Sequence, residues 1–152
     1  MSKIVEQIQA NVISKLHFTS ADDEVIDDVT PIIDAIKSNS SIECVEFLDD
    51  FLGCIRNDSR TELLQALCKV PCLNEVHLED GLIMIDVIAD LITKCKGLKI
   101  LTLNRIILQG VQEDFDTTEM ALHQNHSLKE LTIKDCSSAI EGIFLNNLVL
   151  HP

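Results

Sequence analysis

The sequence predicts an α/β solenoid, a horseshoe-shaped arc of about five strand–helix repeats with a parallel sheet on its concave side and helices on its convex side. A short apolar pattern, apolar-x-x-apolar-x-apolar, occurs five times at intervals of 25 to 31 residues. Segments with helical periodicity precede four of these copies. Because one strand–helix unit cannot bury both of its apolar faces alone, stacked copies are expected to bury them for one another.

Each copy of the apolar pattern predicts one short strand. The copies begin at Ile13, Ile42, Leu73, Leu98 and Leu128. Their strands are expected to centre near Leu16, Val45, Val76, Leu101 and Leu131. Since side chains alternate along a strand, the apolar residues of the pattern should point into the core and the residues between them toward the concave surface.

The segments between the copies predict helices with one apolar side. Before each of the last four copies, apolar residues recur 6, 7, 10 and 13 positions ahead of the first residue of the copy. Only Arg60 and Thr118 are exceptions to this register. Such offsets mark one side of a helix. The expected N-terminal caps are Thr30 (before Pro31), Ser59 or Asp58, Asp86 and Asp116, and the expected helix ends are Asn39, Gly97 and Asn125.

The chain of 152 residues predicts a single domain. Residues 1–11 are expected to form an N-terminal capping helix, residues 12–136 the five repeats, and residues 137–152 a C-terminal closing unit. An alternative is an open sheet edge around Phe144, Leu148 and Leu150 that pairs with another chain or a second copy. The chain would then be a structural solenoid without a concave partner, or the terminal remnant of a larger repeat array.

The apolar pattern resembles the leucine-rich repeat, L-x-x-L-x-L-x-x-(N/C), over about residues 11–136. The last copy matches it best, because Leu128, Leu131 and Ile133 are followed by Cys136 at the N/C position. A mean interval near 29 residues, with room for a full helix, resembles the ribonuclease-inhibitor-like subclass. The resemblance implies a non-enzymatic protein-binding module that acts as adaptor, inhibitor or assembly subunit. Two relatives in the subclass give narrower alternatives, a regulator of a small GTPase and an actin regulator of the tropomodulin kind.

The residues that alternate with the core positions are the candidate partner-binding residues. A partner is expected to bind along the concave face, because stacked repeats create an extended curved surface there. The candidates are His17, Glu46, His77, Thr102 and Thr132 in a central row, with Leu48, Glu75, Glu79, Asn104 and Lys134 beside it.

The net charge of −13 is concentrated in the first half of the chain, since residues 1–80 carry −10 and residues 81–152 carry −3. A surface this acidic favours a basic protein partner and disfavours nucleic acid and anionic membranes. The sequence has no apolar segment long enough to span a bilayer and no secretory signal pattern at its start. The chain is therefore expected in the cytosol or the nucleus, with its six cysteines as reduced thiols.

The sequence predicts no catalytic site, no cofactor and no metal. Cys44 beside His17 or His77 is the one pairing that resembles a nucleophile and its base, and no activating or oxyanion-stabilising group accompanies it. Cys68-x-x-x-Cys72, with Cys95 one repeat away, resembles half a zinc site, but a structural zinc ion needs four convergent ligands. These cysteines are interpreted as small core residues.

Overall fold

The computed structural model describes residues 2–20 and 28–138, which alternate between strands and helices along the chain. The helices are α1 (Ser2–Gln9), α2 (Thr30–Ser38), α3 (Asn57–Leu67), α4 (Ile85–Lys94) and α5 (Gln112–Gln124). The strands are β1 (Lys15–Thr19), β2 (Cys44–Leu48), β3 (Glu75–Met84), β4 (Ile100–Gln109), β5 (Glu130–Lys134) and β6 (Ser137–Ser138). None of the helices in this part of the chain has the length and apolar character needed to cross a membrane.

The first five strands form one parallel sheet in chain order, and each strand pairs with the next. The predicted strand centres are aligned across the sheet. Leu16 pairs with Val45, Val45 with Val76, Val76 with Leu101, and Leu101 with Leu131. The prediction of five parallel strands in one repeating register is therefore confirmed.

Backbone hydrogen bonds repeat from one unit to the next at the beginning of each strand. The carbonyl oxygen of Ser14 accepts the N–H groups of Glu43 and Cys44 at 2.7 and 3.0 Å. The carbonyl oxygen of Glu43 accepts those of Asn74 and Glu75 at 2.8 and 3.0 Å, and the same pair of bonds recurs up to β5. Each repeat is thus built on the backbone of the one before it.

The core lies between the sheet and the helices. Leu131 and Ile133 of β5 are partly buried. The inward residues of β1 to β4 are buried, and they include Leu16, Phe18, Val45, Phe47, Val76, Leu78, Leu101 and Leu103. The helices contribute Ile32, Ile36, Leu63, Leu67, Ile88, Ile92 and Leu122. Burying one such side chain contributes about 1.5–3 kcal/mol to stability. The rings of Phe18, Phe47 and Phe51 pack together with centroids 5.1 to 5.8 Å apart and fill the N-terminal half of the core.

The predicted N-terminal caps are wrong by one to five residues. The observed cap positions of α2 to α5 are Val29, Arg56, Met84 and Val111, and none of these side chains makes a capping hydrogen bond. At α2 and α5, a carboxylate just outside or just inside the helix accepts an N–H group instead. Asp28 accepts the first N–H of α2 at 2.9 Å, and Asp114 accepts the N–H of the α5 cap residue at 2.9 Å. The end of α4 is also misplaced, since its cap is Cys95 and not Gly97.

Asn39 ends α2 as predicted, and its side chain also joins two neighbouring repeats. It is 2% exposed. Its Nδ2 donates to the carbonyl oxygen of Ile8 in α1 at 2.5 Å, and its Oδ1 accepts the N–H groups of Ser41 and Ile42 at 2.8 Å each. Asn125 ends α5 and makes an equivalent set of bonds, with α4 as its neighbour.

The two polar residues that break the apolar register of the helices are buried with hydrogen-bond partners. The guanidinium group of Arg60 donates to the carbonyl oxygens of Ile55, at 2.8 Å, and Leu82. The hydroxyl group of Thr118 donates to the carbonyl oxygen of Asp114 at 2.8 Å, within its own helix. Backbone acceptors therefore reduce the free-energy cost of placing these groups in the core.

β3 and β4 each have 10 residues, twice the length of β1 and β2. Both strands turn a corner at residues with left-handed backbone, Asp80 (φ 52°) and Arg105 (φ 53°), and pair again over residues 81–84 and 106–109. β6 pairs with this outer part of β4. The apolar pattern stops at the corner, so the sequence predicted only the first half of these strands.

The structure describes most of the predicted N-terminal capping helix but only the first two residues of the predicted C-terminal closing unit. α1 packs against α2 at the N-terminal end, and its Ile8 is fully buried. Ser137 and Ser138 form β6, whereas the rest of the predicted closing unit, residues 139–152 with Phe144, Leu148 and Leu150, lies outside the described residues. Pairing through an open C-terminal edge remains a prediction.

Candidate binding surface on the concave face

The sheet face that points away from the helices, called the concave face below, carries the predicted rows of side chains. In the central row, His17 pairs with Glu46, Glu46 with His77, His77 with Thr102 and Thr102 with Thr132. Neighbouring strands in a sheet lie about 4.8 Å apart. The row therefore places one residue of every repeat side by side across five strands.

The flanking candidates lie at equivalent strand positions. Glu75 pairs with Ile100 in one flanking row, and Asn104 pairs with both Glu79 and Lys134 in the other. Leu48 is at the end of β2. All ten predicted residues are exposed or half-buried, so each is accessible at the surface. Whether a partner contacts them remains a prediction.

Glu46 lies at the centre of a charged cluster on the first two strands. Lys15 Nζ lies 2.8 Å from Glu46 Oε1, and His17 Nδ1 lies 2.5 Å from Glu46 Oε2. Burial raises the pKa of Glu46, but the hydrogen bond from Lys15 and the charges of His17 and Lys15 outweigh that effect, so the net pKa is lowered. Both oxygens of this carboxylate therefore have basic partners.

A second charged cluster forms where β3 and β4 turn their corners. Arg105 donates to both carboxylate oxygens of Asp80 and to Glu79 Oε1, each at 2.7 Å. Asn104 Nδ2 donates to the same Glu79 oxygen at 2.9 Å. The hydrogen bonds from Arg105 lower the pKa of Asp80. Two of the three acidic candidates, Glu46 and Glu79, are thus paired with cations, and the charge contrast along this face is smaller than the sequence implies.

The thiol of Cys44 is close to a carboxylate and an imidazole in the middle of this face. The ligand atoms of Cys44, Glu46 and His77 all lie within 4.8 Å of one another. Burial raises the pKa of the Cys44 thiol to about 11. A nucleophilic cysteine needs the opposite shift, so the arrangement suits binding rather than nucleophilic attack.

The other cysteines do not form the half-site that their sequence spacing resembles. Cys68 Sγ and Cys95 Sγ lie 2.9 Å apart between neighbouring repeats, whereas Cys72 is exposed. None of the six cysteines, all of which lie in the described part of the chain, forms a disulfide. The contact with Cys68 and burial both raise the pKa of Cys95. Packing between neighbouring repeats therefore places Cys95 next to Cys68. The sequence spacing of Cys68 and Cys72 does not indicate this contact.

An open groove of about 710 Å³, which was not predicted, lies at the corners of β3 and β4, beside the loop that follows β2. It is lined by residues that include Asp50, Asn57, Arg60, Asp80, Arg105 and Ile107. One feature of the sequence indicates where this groove forms. Polar residues recur two positions after the last apolar residue of a copy, and the left-handed backbone there directs the chain away from the core.

Comparison with solved structures identifies the architecture. The chain is similar to a tropomodulin C-terminal domain from Caenorhabditis elegans, with a TM-score of 0.67 and 16% sequence identity over 97% of this chain and 87% of that one. The fold is a leucine-rich-repeat solenoid. No protein-family model matches the sequence, and no curated protein matches it.

The leucine-rich-repeat fold explains why the candidate residues share one face. In each repeat the leucine-type residues are fixed by the core, and the positions between them are free to differ in chemistry. These positions hold acidic, basic, imidazole, hydroxyl and amide groups in this chain. The concave face is therefore chemically varied on a uniform backbone.

Proposed function

We propose that this chain is a non-enzymatic protein-interaction module that binds a protein partner through its concave face, as adaptor, inhibitor or assembly subunit. The observation that carries the proposal is the set of aligned polar rows from five parallel strands, in a fold shared with a tropomodulin domain. Such a sheet presents many side chains in fixed positions with little ordering cost on binding.

The finer features of the proposal follow from helix length and charge. Helices α2 to α5 have 9 to 13 residues, which supports the ribonuclease-inhibitor-like subclass. The net charge of −13 favours a basic protein partner over nucleic acid or an anionic membrane. Six cysteines without a disulfide suit the reducing cytosol or nucleus.

A role in actin regulation is the second candidate, because the similar solved structure is a tropomodulin domain. Its test is binding to purified actin monomers and filaments, measured by sedimentation and by fluorescence. Binding to either form, weakened by substitutions on the concave face, supports this candidate. Absence of binding at high protein concentration removes it and leaves the broader proposal in place.

The broader proposal is tested by neutralising acidic residues on each side of the solenoid. The partner is captured from cell extract on the immobilised chain in the presence of a metal chelator, and the purified pair is then measured. The triple substitution Glu46→Gln, Glu75→Gln and Glu79→Gln is expected to slow association about tenfold at low salt, because it removes charges that attract a basic partner. The effect should shrink at high salt, where exposed charges are screened.

The matched control removes three charges from exposed positions of the helices, with Glu6→Gln, Asp34→Asn and Glu62→Gln. This triple changes the net charge equally and is expected to leave the association rate close to that of the wild type. Equal weakening by both triples would mean that only bulk charge matters. Capture of no partner at all would favour a structural solenoid, or assembly through the C-terminal edge.

A further inference from the structure

The centre of the concave face combines three kinds of metal-binding group. Cys44 and Glu46 are on β2, and His77 is on β3, where it pairs with Glu46. Their thiol, carboxylate and imidazole atoms lie within 4.8 Å of one another. Cys44 is 6% exposed and lies below the two longer side chains, whose half-buried positions keep them accessible from solvent.

We propose that Cys44, Glu46 and His77 bind a Zn²⁺ ion on the concave face. Zinc accepts thiolate, imidazole and carboxylate ligands at about 2.0–2.3 Å in a tetrahedral shell, which places ligand atoms about 3.3–3.8 Å from one another. The ligand atoms, which lie within 4.8 Å of one another, have to approach by up to about 1 Å to reach that spacing. A thiolate with an imidazole selects zinc over magnesium and calcium, which prefer oxygen ligands alone.

Neighbouring residues orient the Glu46 carboxylate and set the charge around the three ligands. His17 holds one oxygen of Glu46, at 2.5 Å, and leaves the other oxygen for the ion, as supporting residues do around metal-binding carboxylates. Lys15 lies 2.8 Å from that other oxygen, and its half-exposed side chain moves aside into solvent when the ion binds. Glu75, whose carboxylate lies 3.7 Å from His77 Nε2, adds negative charge beside the ligands.

Binding requires the Cys44 thiol to lose its proton. Burial raises the pKa of this thiol to about 11, so the ion displaces one proton from sulfur as the sulfur–zinc bond forms, and the proton passes to buffer. Three protein ligands leave the fourth position of the tetrahedral shell facing the solvent, where water occupies it. The site belongs to the isolated chain and needs no partner protein, so it goes beyond the proposed function.

Zinc binding to the full chain, produced without an affinity tag and freed of metal by a chelator, tests the proposal. Titration against a chromophoric zinc chelator is expected to show one tightly bound ion per chain, and Co²⁺ in its place should give the ultraviolet absorption of a thiolate–cobalt bond. Cys44→Ser and His77→Gln should each weaken zinc binding by about a hundredfold or more, because each removes one of three protein ligands. His77 is half-buried and outside the core, so His77→Gln tests the site in a folded protein even if Cys44→Ser fails to fold.

Three control variants each remove another thiol or imidazole group of the described residues. Cys72→Ser removes the exposed thiol, Cys68→Ser removes the thiol pair with Cys95, and His123→Gln removes an imidazole 3.8 Å from the Glu119 carboxylate. All three are expected to bind zinc like the wild type. The proposal is overturned if His77→Gln keeps wild-type affinity, if Cys68→Ser is the variant that loses the ion, or if the cobalt complex lacks thiolate absorption.

Discussion

Replacing Leu101 with alanine is expected to lower the free energy of unfolding by about 2–5 kcal/mol. Leu101 is fully buried in β4, where it pairs with Val76 on one side and Leu131 on the other. The substitution opens a cavity in the core beside β4. The neighbouring strands are held in place by the sheet, so the surrounding side chains can fill the cavity only partly. Unfolding in urea, followed by circular dichroism, measures the change.

The control is Thr102→Ala, one residue further along the same strand. Its side chain points to the concave face, and its loss should cost less than about 1 kcal/mol, mainly through a lower strand propensity. A loss below about 0.5 kcal/mol for Leu101→Ala, the value typical of surface positions, would show that Leu101 faces solvent and that the register of the solenoid is wrong.

Replacing Asn39 with alanine is expected to cost about 2–4 kcal/mol, because it leaves two buried backbone groups and one part-buried group without their partner. These groups are the carbonyl oxygen of Ile8 and the N–H groups of Ser41 and Ile42. The bond to Ile8 also fixes α1 onto the next repeat, so hydrogen exchange in α1 should become faster. Chemical unfolding and hydrogen exchange together measure both effects.

Ser40→Ala is the control for this position, since Ser40 is the exposed residue next to Asn39. It should change stability by less than about 0.5 kcal/mol. Asn125→Ala provides an independent second copy, because Asn125 makes the equivalent bonds between α5 and α4. If Asn39→Ala is as mild as Ser40→Ala, the side chain is not the link between repeats that its geometry indicates.

The strands could be predicted because the core imposes the same spacing on every copy. The helix starts could not, because the nearest Ser, Thr or Asp in the sequence is not the residue that caps each helix. Asp28 and Asp114 instead accept N–H groups from positions outside and inside the helix. Arg60 and Thr118 look like interruptions in the sequence, but backbone carbonyls that only the fold brings near accommodate them in the core.

The rows of the concave face could also be predicted, because alternation along a strand and one register across strands determine them. Most contacts within the rows could not. The pairing of Cys44 with a neighbouring histidine is the exception, since the sequence indicated it and the thiol lies near His77. Long side chains reach such diagonal neighbours on a sheet. The pairing of Arg105 with Asp80 depends on two left-handed corners, which the apolar pattern does not encode.

Carboxyl footprinting of the captured complex tests the central claim most directly. Carboxylates of the free chain and of the complex are labelled with a carbodiimide and an amine, and the extent of labelling is read at each residue by mass spectrometry. If the partner binds the concave face, labelling of Glu46, Glu75 and Glu79 should fall in the complex. Labelling of Glu6, Asp34 and Glu62 on the helices should stay unchanged. Protection of the helix residues, with the three concave residues labelled as in the free chain, would contradict the account.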